Sequence, residues 1–525
     1  MGPFSLFRAD GRQWQKPRRH VTPAEALYMI VAQMRRWRLN ALARPAIVAI
    51  GLVAALSLTR TGPAAAVTFD CSGTGSPQGP YSFETWEAGD YKSRYGDAMG
   101  LASVNQLFPE NSSFALPALE TGDRSAGSGA TLPPYIPPVL LKAISYIESG
   151  WAQASYDPLV QYGETGPTLV SADCGYGLMQ VTSGMQNVSG APSLDQAMIG
   201  GHYAYNIARG AQILAGKWNA APEYRPIMGN RDPHVIENWY FALWAYNGFA
   251  YRNHPLNPGY NTNRPPYDCQ GDTPRDYPYQ ELIFGCVANP PLRDGVPLWD
   301  AQPISLPNLS DPAYSGPLDI NNWNACSFEL QCAALDIPTP ADAHTVTTLP
   351  SVDRATLLGA PALAPDPASI ALSTETGIAQ ASLAVPNAGT GLGVWRVRPG
   401  QTWLKVSRVE GISQGADVGG YSTQLILDID LSTAPGGDHF ASVLVDSAQG
   451  AGSLITVPVS VRLQRVGCDN LLTVVDVLAI LNNASGIGGC VSDVHDTNCD
   501  GKIDGADIVA IMRFLIGLPP TQFCE

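Results

Sequence analysis

Between Leu140 and Trp151 the chain reads "LLKAISYIESGW". Leu140, Leu141, Ile144, Ile147 and Trp151 recur at the spacing of one face of an α-helix, and Glu148 falls on that same face. Two further helices are legible downstream. "AYNIARGAQILAGKW" (204–218) sets Ile207, Ala211 and Leu214 at helical spacing, and "ENWYFALWAYNG" (237–248) is a helix stopped by Gly248. From Ala368 to Leu463 the period changes to two. "VWRVR", "TWLKVS", "QLILDIDL", "ASVLVDS" and "ITVPVSVRL" are short alternating strands between Gly/Pro turns, which predicts a β-sandwich. Two short helical segments, "VVDVLAILNNA" and "ADIVAIMRFLIG", close the chain, each behind a polar loop.

The fold class predicted is multidomain: a mainly-α domain at 131–286, a β-sandwich at 368–463 and a small α module at 464–525. Residues 67–130, rich in Gly, Ser and turn formers, read as an irregular lead-in. Residues 287–367 read as a Pro-rich linker in which Cys326 and Cys332 could close a small loop.

Composition changes the picture at the N-terminus. Residues 1–66 carry a basic segment (Arg35, Arg36, Arg38, Arg44), an apolar run from about Ala46 to Leu58 and Ala64-Ala65-Ala66 before Val67, the layout of a cleaved secretory signal. Met1 and Met34 both remain candidate starts, and an uncleaved anchor with a cytoplasmic tail is the alternative. Cleavage after Ala66 takes 10 of the 31 basic and 2 of the 46 acidic residues, leaving 21 against 44 and a formal charge of −23. Such a surface disfavours nucleic acid and anionic membranes. All 10 Cys follow the signal, an even number that in an exported chain suggests disulfides of undetermined pairing. A secreted or cell-surface location is the expectation.

Glu148 is the unexpected residue. A buried, unpaired carboxylate is costly and is relieved by keeping its proton. Gly150 marks the end of the helix, where the dipole also disfavours negative charge. A carboxylic acid near neutral pH is what a general acid needs to break a glycosidic bond. The bland alternative is a solvated residue at the edge of the stripe.

Glu148 sits in the first of four ordered motifs. "ISYIESGW", "CGYGLMQVT" (174–182), "NIARGAQIL" (206–214) and "ALWAYNG" (242–248) resemble the lytic transglycosylase domain related to goose-type lysozyme, over roughly residues 132–260. Tyr176 between the glycines and Phe249 after "AYNG" depart from the family pattern. The resemblance implies peptidoglycan cleavage with Glu148 as single acid and base. Glu148 protonates the oxygen between N-acetylmuramic acid and N-acetylglucosamine, then accepts the proton of the attacking muramoyl 6-hydroxyl, giving a 1,6-anhydro end. Ser149, Gly177, Met179, Gln180, Tyr246 and Asn247 are the implied substrate-binding residues. Gly175 and Gly177 would admit a sugar close to the backbone, Met179 would give an apolar contact and Gln180 an amide for sugar groups. Singly, each also reads as a core or surface residue, and Trp239 and Trp244 read as core. A hydrolytic muramidase, a non-catalytic wall-binding module, a cohesin-binding adaptor and chitin as substrate are the alternatives.

"DTNCDGKIDGAD" (496–507) fits a calcium loop, with Asp496, Asn498, Asp500, the Lys502 carbonyl, Asp504 and Asp507 as oxygen ligands and Gly501 at the sharp turn. Followed by a single helix, it resembles a type I dockerin repeat. The resemblance implies structural Ca2+ and a cohesin-bearing scaffold or surface protein as partner. A first repeat, "RVGCDNLLTVVD" (465–476), keeps Asp469, Thr473 and Asp476 but has Arg465 and Gly467 at ligand positions, so its occupancy stays open. Val474, Val475, Gly505 and Ala506 stand where dockerins read their partner. The sandwich resembles a bacterial immunoglobulin-like, carbohydrate-associated (BACON-type) domain, as spacer or glycan binder.

Overall fold

The computed structural model describes residues 71–518, except 90, 123–130, 156–162, 225, 262, 272–273, 309–335, 374–379, 431–436, 448–453, 464–473, 486–494 and 498–499. The signal-like segment, Cys326, Cys332, Cys468, Cys490, Cys499, Cys524, Asp469, Thr473 and Asn498 lie outside the described residues.

The helices of the first unit are α1 (Ser93–Ser103), α2 (Pro138–Ser149), α3 (Leu194–Gly201), α4 (Tyr203–Tyr224), α5 (Tyr240–Tyr246) and α6 (Tyr279–Ala288). Helix α2 is built as its sequence dictates. Pro138 takes the first helical position, where its missing N–H is no loss. Gly150, at φ 64°, ends the helix in the left-handed region and donates to the Tyr146 carbonyl at 2.7 Å. Leu140, Leu141 and Ile144 are fully buried, as the periodicity predicts. Ile207, Ala211 and Leu214 bury the same way from α4. The predicted helix over 237–248 is a 3-10 turn, Ile236–Trp239, leading into α5.

The segment expected as an irregular lead-in is part of this unit. It holds α1 and a strand, β1 (Glu84–Trp86), which pairs antiparallel with β2 (Thr165–Pro167). Cys71 is disulfide-bonded to Cys174, directly before the glycine motif. Buried Glu87 fixes the arrangement: one carboxylate oxygen accepts the backbone N–H groups of Gln153 and Ala154 at 2.9 Å, and the other accepts the Tyr95 hydroxyl at 3.0 Å and lies 3.5 Å from the buried Lys92 ammonium. Polar groups paired out of water hold a segment whose composition reads as loop.

Nor is 287–367 simply a linker. Asp336–Ile337 pairs in parallel with Ile227–Met228, and Trp299 packs against Trp151 with ring centroids 5.3 Å apart. The fully buried Glu237 carboxylate accepts the backbone N–H groups of Ser305 at 3.1 Å and His344 at 2.9 Å.

The second unit is two packed sheets. β3 (Ile370–Ser373), β5 (Leu392–Pro399), β7 (Glu410–Gln414), β9 (Gly437–Ser447) and β10 (Leu454–Leu463) form one, in the order β7-β5-β9-β10-β3, antiparallel except for the β10–β3 pair. β4 (Gln380–Ala384), β6 (Leu404–Val406) and β8 (Gln424–Ile429) form the other, in the order β4-β8-β6. Trp395, Val443 and Val459 from the first meet Leu383, Leu404 and Leu427 from the second in a shared core. The outer face of the larger sheet does not stand free: Val394 and Ile412 join the core of the helical unit, within 3.5 Å of where a Cβ on Gly201 would stand. Arg408 bridges Glu84 at 2.6 Å and Glu410 at 2.8 Å, and Thr423 donates to Glu84 at 2.6 Å. The sandwich is therefore docked on β1 and α3.

At the C-terminus α7 (Val474–Ala484) and α8 (Gly505–Leu515) meet through Val477, Ile480 and Ile511. No helix among the described residues is long and apolar enough to cross a membrane. Two disulfides, Cys71–Cys174 and Cys269–Cys286, join described residues, which is compatible with an extracytoplasmic protein.

Candidate functional site

Glu148 stands in the last turn of α2, partly exposed. Its Oε1 accepts a hydrogen bond from the Tyr279 hydroxyl at 2.5 Å. Burial pushes its pKa up from 4.5 to about 7; the Tyr279 bond works against this, and the negative charge of Asp173 adds to it. The same charge on Glu148, added to burial, holds the Tyr246 and Tyr279 phenols well above their ordinary value. Both therefore remain neutral donors at any physiological pH.

The glycine motif forms the turn facing this helix end. Ser149 ties the two together: its Oγ lies 2.8 Å from the Ser145 carbonyl and 2.9 Å from the Leu178 carbonyl. Tyr246, the last residue of α5, donates its hydroxyl to the Met179 carbonyl at 2.9 Å. Gln180, at φ 46°, donates Nε2 to the Gly177 carbonyl at 2.7 Å; its Oε1 is buried with no donor among the described residues. The structure thus ties Ser149, Gly177, Met179, Gln180 and Tyr246 together at the helix end that carries Glu148.

Two of these residues do not have the position expected of them. Met179 is fully buried, its side chain filling the space that a Cβ on Gly210 would enter at 2.5 Å. Gly177, at φ 65°, is buried too, and a Cβ there would stand 2.5 Å from Gln153 Oε1 and 2.7 Å from Asn206 Nδ2. A Cβ on Gly175 would meet Gln180 Oε1 at 2.9 Å. The close approach these glycines permit is to the protein's own polar side chains, so the sugar-facing roles expected for Gly175, Gly177 and Met179 give way to a structural one. Asn206 clasps the turn, accepting from Met179 N at 2.8 Å and donating to the Tyr176 carbonyl at 2.7 Å. This accounts for the Asn and Gly of "NIARG" through the turn they support.

Asn247 follows Tyr246 and accepts from Asn253 Nδ2 at 2.9 Å. Asn253 Oδ1 in turn accepts the backbone N–H of Tyr279 at 3.3 Å, so Asn247 is linked through Asn253 to the residue that bonds Glu148. Tyr279 and Asn253 are members of this cluster that the motif reading misses. Tyr279 opens α6, whose sequence "YQELIFGCVA" is buried from Tyr279 through Val287 and shows no amphipathic period. The available signal was the Pro278 start and the Cys269–Cys286 staple. Trp239 and Trp244 are buried, as expected.

In the C-terminal loop Gly501 takes φ 77°, as a sharp turn requires. Asp496 accepts the N–H groups of Asp500 and Gly501 at 3.1 and 2.9 Å, and Asp500 accepts that of Lys502 at 2.9 Å. Asp504 and Asp507 form a capping box at the start of α8, and Asp507 also accepts the N–H of Thr497 at 2.8 Å. The donor set is the hard-oxygen type that suits Ca2+, though no three His, Cys, Asp or Glu side chains converge on one point among the described residues. In the first repeat, Asp476 pairs instead with buried His495 at 3.1 Å.

No family model matches the chain, and no curated protein does. Among solved structures, the chain is similar to the chaperone–tip adhesin complex CsuC–CsuE of Acinetobacter baumannii at 12% identity and TM-score 0.17, covering 20% of this chain and 59% of that one. It is similar to the periplasmic chaperone SfaE at 12% identity and TM-score 0.17, covering 20% and 58%. A GH5 xyloglucanase from Bacteroides ovatus matches at 15% identity and TM-score 0.14, over 21% of each chain. At these scores the likenesses carry no functional meaning.

Proposed function

We propose that this protein is an exported peptidoglycan lytic transglycosylase, cleaving the β-1,4 bond between N-acetylmuramic acid and N-acetylglucosamine with Glu148 as both acid and base. The observation that carries the reading is the Glu148 carboxyl itself. Burial raises its pKa to about 7, and the Tyr279 hydroxyl fixes its orientation. Such a group holds a proton for the departing sugar oxygen and, once ionised, takes up the proton of the attacking 6-hydroxyl. Asn247, Ser149 and Tyr246 position the groups around it.

Asp173 favours a second reading. It is a carboxylate close enough to raise the Glu148 pKa, and it could orient a water in place of the 6-hydroxyl, giving hydrolysis. Mass spectrometry of digested peptidoglycan separates the two. Wild type should release 1,6-anhydro ends and Glu148→Gln none. Reducing ends in their place would establish the hydrolase. A Glu148→Gln protein that cleaves as fast as wild type would sink both.

We further propose that the C-terminal module binds Ca2+ through Asp496, Asn498, Asp500, the Lys502 carbonyl, Asp504 and Asp507. It would hold the enzyme to a cohesin-bearing surface partner. The outward apolar side chains Val474, Leu478, Leu481, Val509, Met512 and Ile516 support such a contact.

A further inference from the structure

A cavity of about 640 Å³ opens between α1, the first half of α2, the 292–297 hairpin and residues 348–352. Its size is that of small-molecule sites. Glu148 does not line it. Lys142 does, and it lies six residues earlier on α2, roughly 120° away around the helix axis.

Three features make this a site rather than a packing fault. The Lys142 ammonium makes no direct hydrogen bond or ion pair among the described residues; burial lowers its pKa, and the charges of Asp300 and Asp97 act against that. A partly desolvated cation with no direct hydrogen-bonded anion gains from one supplied by a ligand. The walls carry charge of both signs, Lys142 and Arg293 with Asp97 and Asp294, around apolar Val296, Leu298 and Leu349. Last, the floor is opened by two glycines four residues apart on α1. A Cβ on Gly96 would rest 3.8 Å from Lys142 Cε, and one on Gly100 would rest 3.6 Å from Pro350 Cβ, both ordinary contacts. The protein's own packing thus has room for alanine at both positions, although each glycine costs the helix about 1 kcal/mol. What the glycines leave is cavity floor.

We propose that this cavity is a second ligand site, which takes a short zwitterionic peptide with its carboxylate on Lys142 and Arg293 and its ammonium on Asp97 and Asp294. The apolar wall receives aliphatic side chains. The proposal does not depend on the activity assigned to Glu148.

Calorimetric titration of the full chain with trialanine tests it. One saturable site is expected in the wild type. Trialanine amide, which lacks the carboxylate, should bind about tenfold or more weakly, and Lys142→Met should weaken trialanine by a similar factor, as loss of one charge-assisted bond requires. Glu148→Gln should bind as wild type does. The amide comparison uses unaltered protein and so stands even if Lys142→Met fails to fold. Absence of saturable binding overturns the proposal, and so does undiminished binding of the amide or by a folded Lys142→Met. Loss of binding in Glu148→Gln would place the peptide at the Glu148 cluster and overturn it equally.

Discussion

Replacing Tyr279 with Phe removes one hydroxyl and leaves the ring. In the wild type that hydroxyl donates to Glu148 Oε1 at 2.5 Å and is the contact that pulls the carboxyl's pKa down. A hydrogen bond to a charged group contributes about 1.5–3 kcal/mol. One pKa unit corresponds to about 1.4 kcal/mol, so the Glu148 pKa should rise by about one to two units. The site also becomes more apolar, which acts in the same direction. If Glu148 is the general acid, cleavage needs its protonated form, and the alkaline limb of kcat/KM reports its pKa in the free enzyme. Tyr279→Phe should move that limb from about 7 to about 8 or 9, with a lower maximum because the carboxyl is less firmly held. The assay is release of soluble muropeptides from purified peptidoglycan across pH. An alkaline limb that stays in place, or moves toward acid, would refute the assignment of Glu148 and Tyr279 as a coupled pair.

Glu148→Gln should cost about 10²–10⁴-fold in peptidoglycan cleavage, measured by the same release assay, with the fold intact by circular dichroism. It should also stabilise the protein above neutrality. The folded pKa of about 7 lies above the ordinary 4.5, so wild type loses stability as pH rises through that window, by about 3 kcal/mol at most, whereas the glutamine does not. Thermal scans should show the advantage of the variant growing from pH 4 to pH 8. Gly210→Ala should drive a methyl into Met179 and cost about 1–3 kcal/mol despite better helix propensity, read by denaturant unfolding. Arg408→Ala should leave Glu84 and Glu410 unneutralised and cost about 1–3 kcal/mol, loosening the sandwich from β1, detected as faster hydrogen exchange in residues 84–86. Calcium chelation should loosen α8, and Asp500→Ala should abolish the calcium heat in calorimetry.

Helices with a two-sided pattern were legible in the sequence. Leu140, Leu141 and Ile144 predicted α2, and Ile207, Ala211 and Leu214 predicted α4, because these residues are fully buried while others of each helix, Lys142 and Tyr146 or Arg209 and Gln212, are only partly so. The alternating strands of the sandwich were legible for the same reason. Helix α6 was not, since it is buried on all sides and periodicity vanishes when every position faces protein. The lead-in and the 287–367 segment were misread because composition alone suggests a loop. What holds them is long-range: the Cys71–Cys174 bridge, the Glu87 hydrogen bonds and the Glu237 hydrogen bonds each join residues 66 or more apart. At the site, the motifs located Glu148, but the side chains that orient it, Tyr279 directly and Asn253 behind it, come from outside them.

The Glu237 carboxylate sets where this protein can be cut. It sits at the start of the turn leading into α5, with no exposed surface, and the chain that satisfies it returns from residues 305 and 344. A fragment ending after Cys286, beyond the four motifs, would strand that carboxyl group in the interior without its hydrogen-bond donors and also strip Trp299 from Trp151. The shortest autonomous form of this unit therefore extends at least through Val346, some sixty residues past Cys286.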